Sequence, residues 1–295
     1  MILNVSGRTD IVAFYTEWFM NRYHEGFIDV RNPFNPKLIS RISFDNVDLI
    51  VFCTKNPIPI MPYLKMINIP ILFHITLTPY HKDIEPNVIN KSLLIEKIKE
   101  LSLLVGKDRL TIRYDPIFIN DKYNIEYHIK AFKRLCSLLN GYVNRILISF
   151  IDSYKNVNKH LNELNYKELN DFDYKEIGVN FSKIARDNNI NIFTCCEEEN
   201  LIKYGFIKDY CVSIKQVYEI TGKLFPKWKA RNSDNCNCCQ MVDIGVYNTC
   251  KHYCKYCYAN YNEDDICNNM KLHDPKSSLL IGHINEDDII KERFK

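Results

Sequence analysis

Nowhere along its 295 positions does the sequence hold 18 consecutive apolar residues, which leaves no candidate for a membrane-spanning helix. Its opening residues, MILNVSGRTD, have neither a basic stretch nor a long apolar core. No secretory leader is expected on that basis, and the chain is read as cytoplasmic. No charge sign dominates: 39 Lys and Arg stand against 36 Asp and Glu, a net +3 spread along the chain. That balance argues against a nucleic-acid footprint. The modest basic cluster KLFPKWKAR, 223 to 231, reads as a solvated loop anchored by Trp228, with stacking of that ring on a base as the alternative. Internal repeats and low-complexity segments are missing as well. Cysteine is scarce over the first 194 residues, which hold only Cys53 and Cys136.

The remaining ten of the twelve cysteines lie from Cys195 onward. Thiols gathered into one third of a chain that shows no sign of an oxidising compartment point to metal binding rather than to disulfides. The bulk composition, 46% hydrophobic and 25% charged, is that of a soluble globular protein, large enough for one α/β domain or two smaller ones.

Apolar, β-rich runs recur at 1–6, 47–54, 71–78, 109–116, 145–152, 189–196 and 241–248. Between them, 10–26, 91–106, 124–141 and 174–189 carry helical periodicity, the first opening on Asp10 and closing on Gly26. Strand and helix in alternation predict parallel strands covered by helices. Seven such strands approach a barrel, and in such folds the ligand site forms beyond the carboxyl ends of the strands. Those ends are polar: Ser6 to Asp10, Thr54 to Pro57, Arg113 to Pro116, and Thr194 to Glu198. The polar stretch 155–173 reads as an exposed excursion.

The last strand runs into VDIGVYNTCKHYCKYCYANYN, which spaces Cys250, Cys254 and Cys257 as C-x3-C-x2-C. Three thiols are one short of a closed tetrahedral zinc site, which would have to recruit His252, Cys267 or His273. A cluster of four irons and four sulfides offers another solution, because three thiolates hold three irons and leave the fourth open.

In its spacing, its position after a strand and its aromatic Tyr256 before the last cysteine, this loop resembles the radical S-adenosylmethionine (SAM) superfamily. The resemblance implies a 4Fe-4S cluster whose open iron is chelated by SAM, reductive cleavage to a 5′-deoxyadenosyl radical, and Tyr256 packed near the adenine. It implies a partial (β/α) barrel of the TIM type, here circularly permuted. The cluster-binding strand and loop come last, and residues 241–295 complete the domain whose body is 1–240. The elements SGRTDI, RNPFNP, TKNP, DIEPN, RYDPI and HDP.S.LL, with the cysteine loop, look like the bacterial family catalogued as domain of unknown function 1848. TKNP and RYDPI are also similar to elements of spore photoproduct lyase-like proteins. No substrate follows from the resemblance: a small molecule, a peptide and a nucleotide all remain open. The reductant it implies is flavodoxin or ferredoxin.

Candidate SAM contacts follow from the polar strand ends. Lys55 is placed to meet the SAM carboxylate or a ribose hydroxyl. Asp10 either caps the helix from residue 11 or accepts a hydrogen bond from the SAM amino group. Arg113, inside an apolar strand pattern, requires an anion: Asp115, Asp152 or the SAM carboxylate. Cys195, Cys211, Cys236 and Cys238 match the cysteine positions of the resembled family and would close a second site, read as an auxiliary 4Fe-4S cluster with zinc as the alternative. Glu197 and Glu198 beside it are candidate acid or base groups. His74 and His128 read as packing or surface residues. The competing class is a non-catalytic Fe-S electron carrier or a zinc-stabilised binding module.

Overall fold

The computed structural model describes residues 1–151, 163–197, 201–227 and 236–294, so Asp152, Glu198 and Trp228 lie outside the described residues. Among the described residues no helix is long and apolar enough to cross a membrane. By internal contacts the chain forms two units, one of Met1–Leu72, Met241–Tyr253 and Ala259–Lys295, the other of Phe73–Gln240 and Cys254–Tyr258.

In the first unit β1 (Ile2–Val5), β4 (Leu49–Thr54) and β9 (Met241–Asp243) are parallel. They lie in the order β4-β1-β9, with Leu3 opposite both Ile50 and Val242. All four residues of β1 are buried, as expected of a central parallel strand. The helix expected over 10–26 is two helices, α1 (Ile11–Phe14) and α2 (Thr16–Glu25), parted at Tyr15. The Tyr15 hydroxyl donates to Thr249 O at 2.6 Å. Phe19 of α2 meets Phe52 of β4 edge-on at 5.4 Å.

A second sheet of the same unit, in the order β10-β3-β2, falls outside the strand pattern of the sequence. It comprises β2 (Phe27–Asn32), β3 (Asn35–Ser43) and β10 (Ile289–Glu292). Asn32 turns the hairpin by accepting from the backbone of Phe34 and Asn35, and Asp29 pairs with Arg41 across it. The motif HDP.S.LL braces α2 from beneath. Trp18 Nε1 donates to Ser277 O at 2.9 Å, and Arg22 donates to Lys276 O at 3.0 Å.

β9 is shorter than the sequence pattern suggests because its last residue, Asp243, turns to gather donors. Its carboxylate accepts from Asn4 Nδ2, Ser6 Oγ, Gly7 N and Gly245 N, all between 2.6 and 2.8 Å. This fan fixes the SGRTD turn against β9. It also leaves no room at Gly245, where an added Cβ would stand 1.9 Å from Ser6 Oγ and 2.9 Å from Ser6 Cβ. Gly245→Ala is therefore expected to destabilise the protein by about 3 kcal/mol in urea unfolding.

The second unit holds β5 (Ile71–Thr76) from Phe73 on, β6 (Leu110–Ile117), β7 (Arg145–Phe150) and β8 (Asn191–Thr194), parallel and in that order. Neither this run nor that of the first unit closes into a barrel; the fold is α/β with open parallel strands. Between the strands run α3 (Lys91–Val105), α4 (Ile125–Leu139) and α5 (Asp171–Asp187), each begun by an asparagine cap: Asn90, Asn124 and Asn170. α4 and α5 pack through stacked rings of Phe132 and Phe181, 4.0 Å apart, with Tyr114 of β6 edge-on to both.

His128 of α4 is fully buried. Its Nε2 faces Phe118 O at 3.0 Å and must donate, so Nδ1 accepts from Tyr114 OH, also at 3.0 Å. Burial pushes this neutral ring down to about 4, from 6.5. Above pH 6.5 folded and unfolded states are both neutral at this position. Below it the unfolded chain takes the proton first, so stability falls as pH falls from 6.5 towards 4, by about 3 kcal/mol for this group. Urea unfolding is expected to show a loss of stability between pH 7 and 4 that His128→Gln reduces by that amount.

Candidate functional site

Four cysteines meet in the second unit. Cys195 follows the end of β8, and Cys211 precedes a short helix, α6 (Ile214–Thr221), capped by Ser213. Backbone pairing of Ser213 with Cys238, and of Cys239 N with Val212 O at 2.9 Å, lays the Cys236–Cys239 segment against that turn. As a result Cys238 Sγ lies 3.0 Å from Cys211 Sγ and 3.4 Å from Cys195 Sγ. The sulfurs of Cys195, Cys236 and Cys238 all stand within 4.8 Å of one another. Cys211, Cys236 and Cys238 are buried and Cys195 partly so. Cys239, although buried, is not in this group, and Cys196 is exposed.

The electrostatics suit a cation. The hydrogen bonds from Cys195 and Cys238, assisted by the nearby Arg113, hold the Cys211 thiol well below its usual range. Hydrogen bonding to Cys211, Cys236 and Cys238, and then burial, push the Cys195 thiol far up. Four thiols this close do not all ionise in an apolar site by themselves, whereas a bound cation reverses the balance and takes them as thiolates. The donor set thus fits a metal ion or cluster.

The same face of the strands is polar. The β5–β6 register sets His74 beside Thr111, and Thr111 Oγ1 lies 3.5 Å from Arg145 Nε. Arg145 is paired with Asp209. His74 is buried with no hydrogen-bond partner for Nε2 among the described residues, and burial pushes its ring down to about 4. Arg113 takes Asp115 as its anion, Nε to Oδ2 3.0 Å, and Ser149 Oγ adds a contact to the same carboxylate at 3.4 Å. Glu197 accepts from the backbone of Phe150 at 3.1 Å, which ties the end of β7 to the turn after β8.

In the first unit Asp10 caps α1, accepting from Ala13 N at 2.9 Å, and its other oxygen accepts from Lys55 N at 2.8 Å. That oxygen also lies 2.8 Å from Nε2 of His252, a buried ring inside the cysteine loop. The aspartate thus joins the SGRTD turn, the TKNP turn and the start of the loop through one carboxylate. Asn260 Nδ2 donates to Cys250 O at 2.9 Å.

The remainder of the loop belongs to the second unit. Lys255 N donates to Ile84 O at 3.0 Å, and Cys257 N to Cys254 O at 3.0 Å. The Tyr256 hydroxyl donates to Glu85, a carboxylate 1% exposed that also accepts from Thr78 Oγ1 at 2.7 Å and pairs with Lys91. Burial, and then the charge of Glu85, push the Tyr256 phenol well up.

Glu85, Asp243 and the capping arrangement around His252 are absent from the residues marked by sequence. Glu85 falls in DIEPN and Asp243 in the last strand, and neither is flagged by type or spacing.

A family described as "Domain of unknown function (DUF1848)" matches the chain over residues 2–259. No curated protein matches the chain, and no solved structure does.

Proposed function

The chain belongs to the DUF1848 family, and on that premise we propose that it is a radical SAM enzyme acting on a substrate yet to be identified. The observation that carries the reading is the placement of the C-x3-C-x2-C loop directly after β9, a parallel strand hydrogen-bonded beside β1. That order is the one a permuted partial barrel requires, with β9 standing where such a fold has its first strand.

Cys250, Cys254 and Cys257 are the proposed thiolate ligands of the 4Fe-4S cluster. A 4Fe-4S cluster held by these thiolates would pass one electron from an external reductant to SAM for its reductive cleavage. The chain's own residues bind, orient and exclude water. Asp10 and Lys55 stand at the strand ends of the first unit for the polar groups of SAM, and His252 is held by Asp10 at the base of the loop. Arg113 and Tyr256 are the further proposed SAM contacts; Glu197 and Glu198 stay candidates for proton transfer with the substrate. An acidic one-electron carrier such as flavodoxin or ferredoxin is the proposed reductant.

Cys195, Cys211, Cys236 and Cys238 are proposed as a second metal centre. Thiolates about 2.3 Å from a single tetrahedral ion stand about 3.8 Å apart, whereas a cluster that gives each thiolate its own iron spreads them farther. The separations of 3.0 and 3.4 Å, with three sulfurs inside 4.8 Å, favour the single ion, zinc, over an auxiliary cluster.

The test is anaerobic reconstitution with iron and sulfide, followed by dithionite and SAM. Release of 5′-deoxyadenosine and methionine without added substrate is expected. Absence of both from a protein holding its iron would sink the enzyme reading in favour of an electron carrier or a binding module.

A further inference from the structure

The Tyr256–Glu85 contact is an unusual investment for a loop: a carboxylate, 1% exposed, buried beneath the segment that carries two of the three motif thiols. Its oxygens are occupied by Thr78, Lys91 and Tyr256. Lys91 opens α3 and also reaches Thr78 Oγ1 at 3.4 Å. The first turn of that helix and the end of the strand before it are thereby drawn to one buried acid. Apolar packing finishes the clasp. Cys254 and Tyr256 sit in a core cluster with Tyr80, Ile84 and Phe118, Cys257 packs on its margin, and the Tyr256 ring lies 5.8 Å from that of Tyr80. A buried carboxylate is costly unless every oxygen is partnered, and here one of the partners is the loop itself.

We propose that Glu85 is a positioning residue for the cysteine loop, clamping Tyr256 so that Cys254 and Cys257 are held ready for their metal before it arrives. The inference rests on the reading of these two thiols as cluster ligands. It extends that reading by placing the preorganisation of the site in a carboxylate 169 residues earlier in the sequence than Cys254.

The clamp is testable on the metal-free chain, by the rate at which each cysteine reacts with a thiol reagent, read by peptide mass. Cys254, which is buried, becomes reactive when its segment opens locally, whereas Cys136, fully buried on α4 of the same unit, reports wider unfolding. Tyr256→Phe and Glu85→Gln are each expected to accelerate labelling of Cys254 by about ten- to hundredfold, the effect of losing one hydrogen bond to a charged group. Cys136 should not change. The double variant should label no faster than the worse single one, because both substitutions break the same contact. Adding Lys91→Met to Glu85→Gln removes the ammonium left without its carboxylate, and Cys136 should then stay protected even if Glu85→Gln alone loosens the unit.

In the iron-loaded protein, Tyr256→Phe and Glu85→Gln should alter the electron paramagnetic resonance spectrum of the reduced cluster in the same way. Equal acceleration at Cys136 in the rescued variant, an unchanged rate at Cys254, or additive effects in the double variant would overturn the clamp. Labelling as expected in a chain that binds no iron would leave the clamp standing and remove the radical SAM reading instead.

Discussion

Cys254→Ala is expected to lower bound iron by about four per chain and to abolish formation of 5′-deoxyadenosine from SAM and dithionite. The argument is one of ligand count. Three thiolates are already the minimum for a cluster that keeps one iron open, so the loss of any one leaves two irons without protein ligands. Cys254 is the most informative of the three. It is buried, its carbonyl accepts from Cys257 N at 3.0 Å, and the next residue is tied by its backbone to Ile84, so the scaffold should survive the loss of the sulfur. Iron analysis, sulfide analysis and product chromatography on the same sample read the outcome. A variant that kept its iron and its product would remove Cys254 from the ligand set.

Cys238→Ala should act differently. Cys238 lies within 3.4 Å of two other sulfurs and is backbone-paired to Ser213, so its loss opens the second centre without touching the loop at 250–257. Where a metal joins segments that have few other contacts, its binding energy is folding energy. The expected cost is about 5 kcal/mol, a fall of roughly 10–20 °C in the unfolding midpoint for a chain of this size. The second metal should be lost while the first cluster's iron remains. Metal analysis of the parent identifies the occupant: about four irons with one zinc for the single ion, about eight irons for two clusters. Retention of the second metal and an unchanged midpoint in Cys238→Ala would show that the four thiols are not its ligands.

The parallel strands were legible because each is an apolar run bounded by polar turns, buried on both faces. The sheet formed by β2, β3 and β10 was not, for a physical reason: few of its apolar residues are buried, Ile28 and Ile42 paired on one face and Ile39 on the other. The face that carries Ile39 is otherwise charged, Arg41 pairing with Asp29 and Arg31 with Asp288. Such a sheet reads in sequence as polar loop. The break at Tyr15 was equally hidden, because it depends on a hydroxyl meeting the carbonyl of Thr249, 234 residues away.

At the site the contrast is similar. Cysteines announce themselves by residue type, and their spacing was readable. Asp10 could be read as a cap, but not as the partner of Lys55 N and His252 as well. Of the anions open to Arg113, Asp115 is one that it meets. Glu85 was invisible because nothing in DIEPN distinguishes a buried acid from a solvated one; only the fold turns it inward.

The pairing of β1 with both β4 and β9 has a consequence for how the protein is made. One neighbour of β1 emerges from the ribosome within about 50 residues, at Leu49, and the other only at Met241. Until then the far side of β1 is a bare row of backbone donors and acceptors, the kind of edge that recruits stray strands. The fan of donors on Asp243 stays unassembled for as long, so Asn4, Ser6 and Gly7 wait for a carboxylate delivered 236 to 239 residues later. Slow elongation or premature release upstream of that point should therefore yield insoluble chains rather than a smaller folded protein.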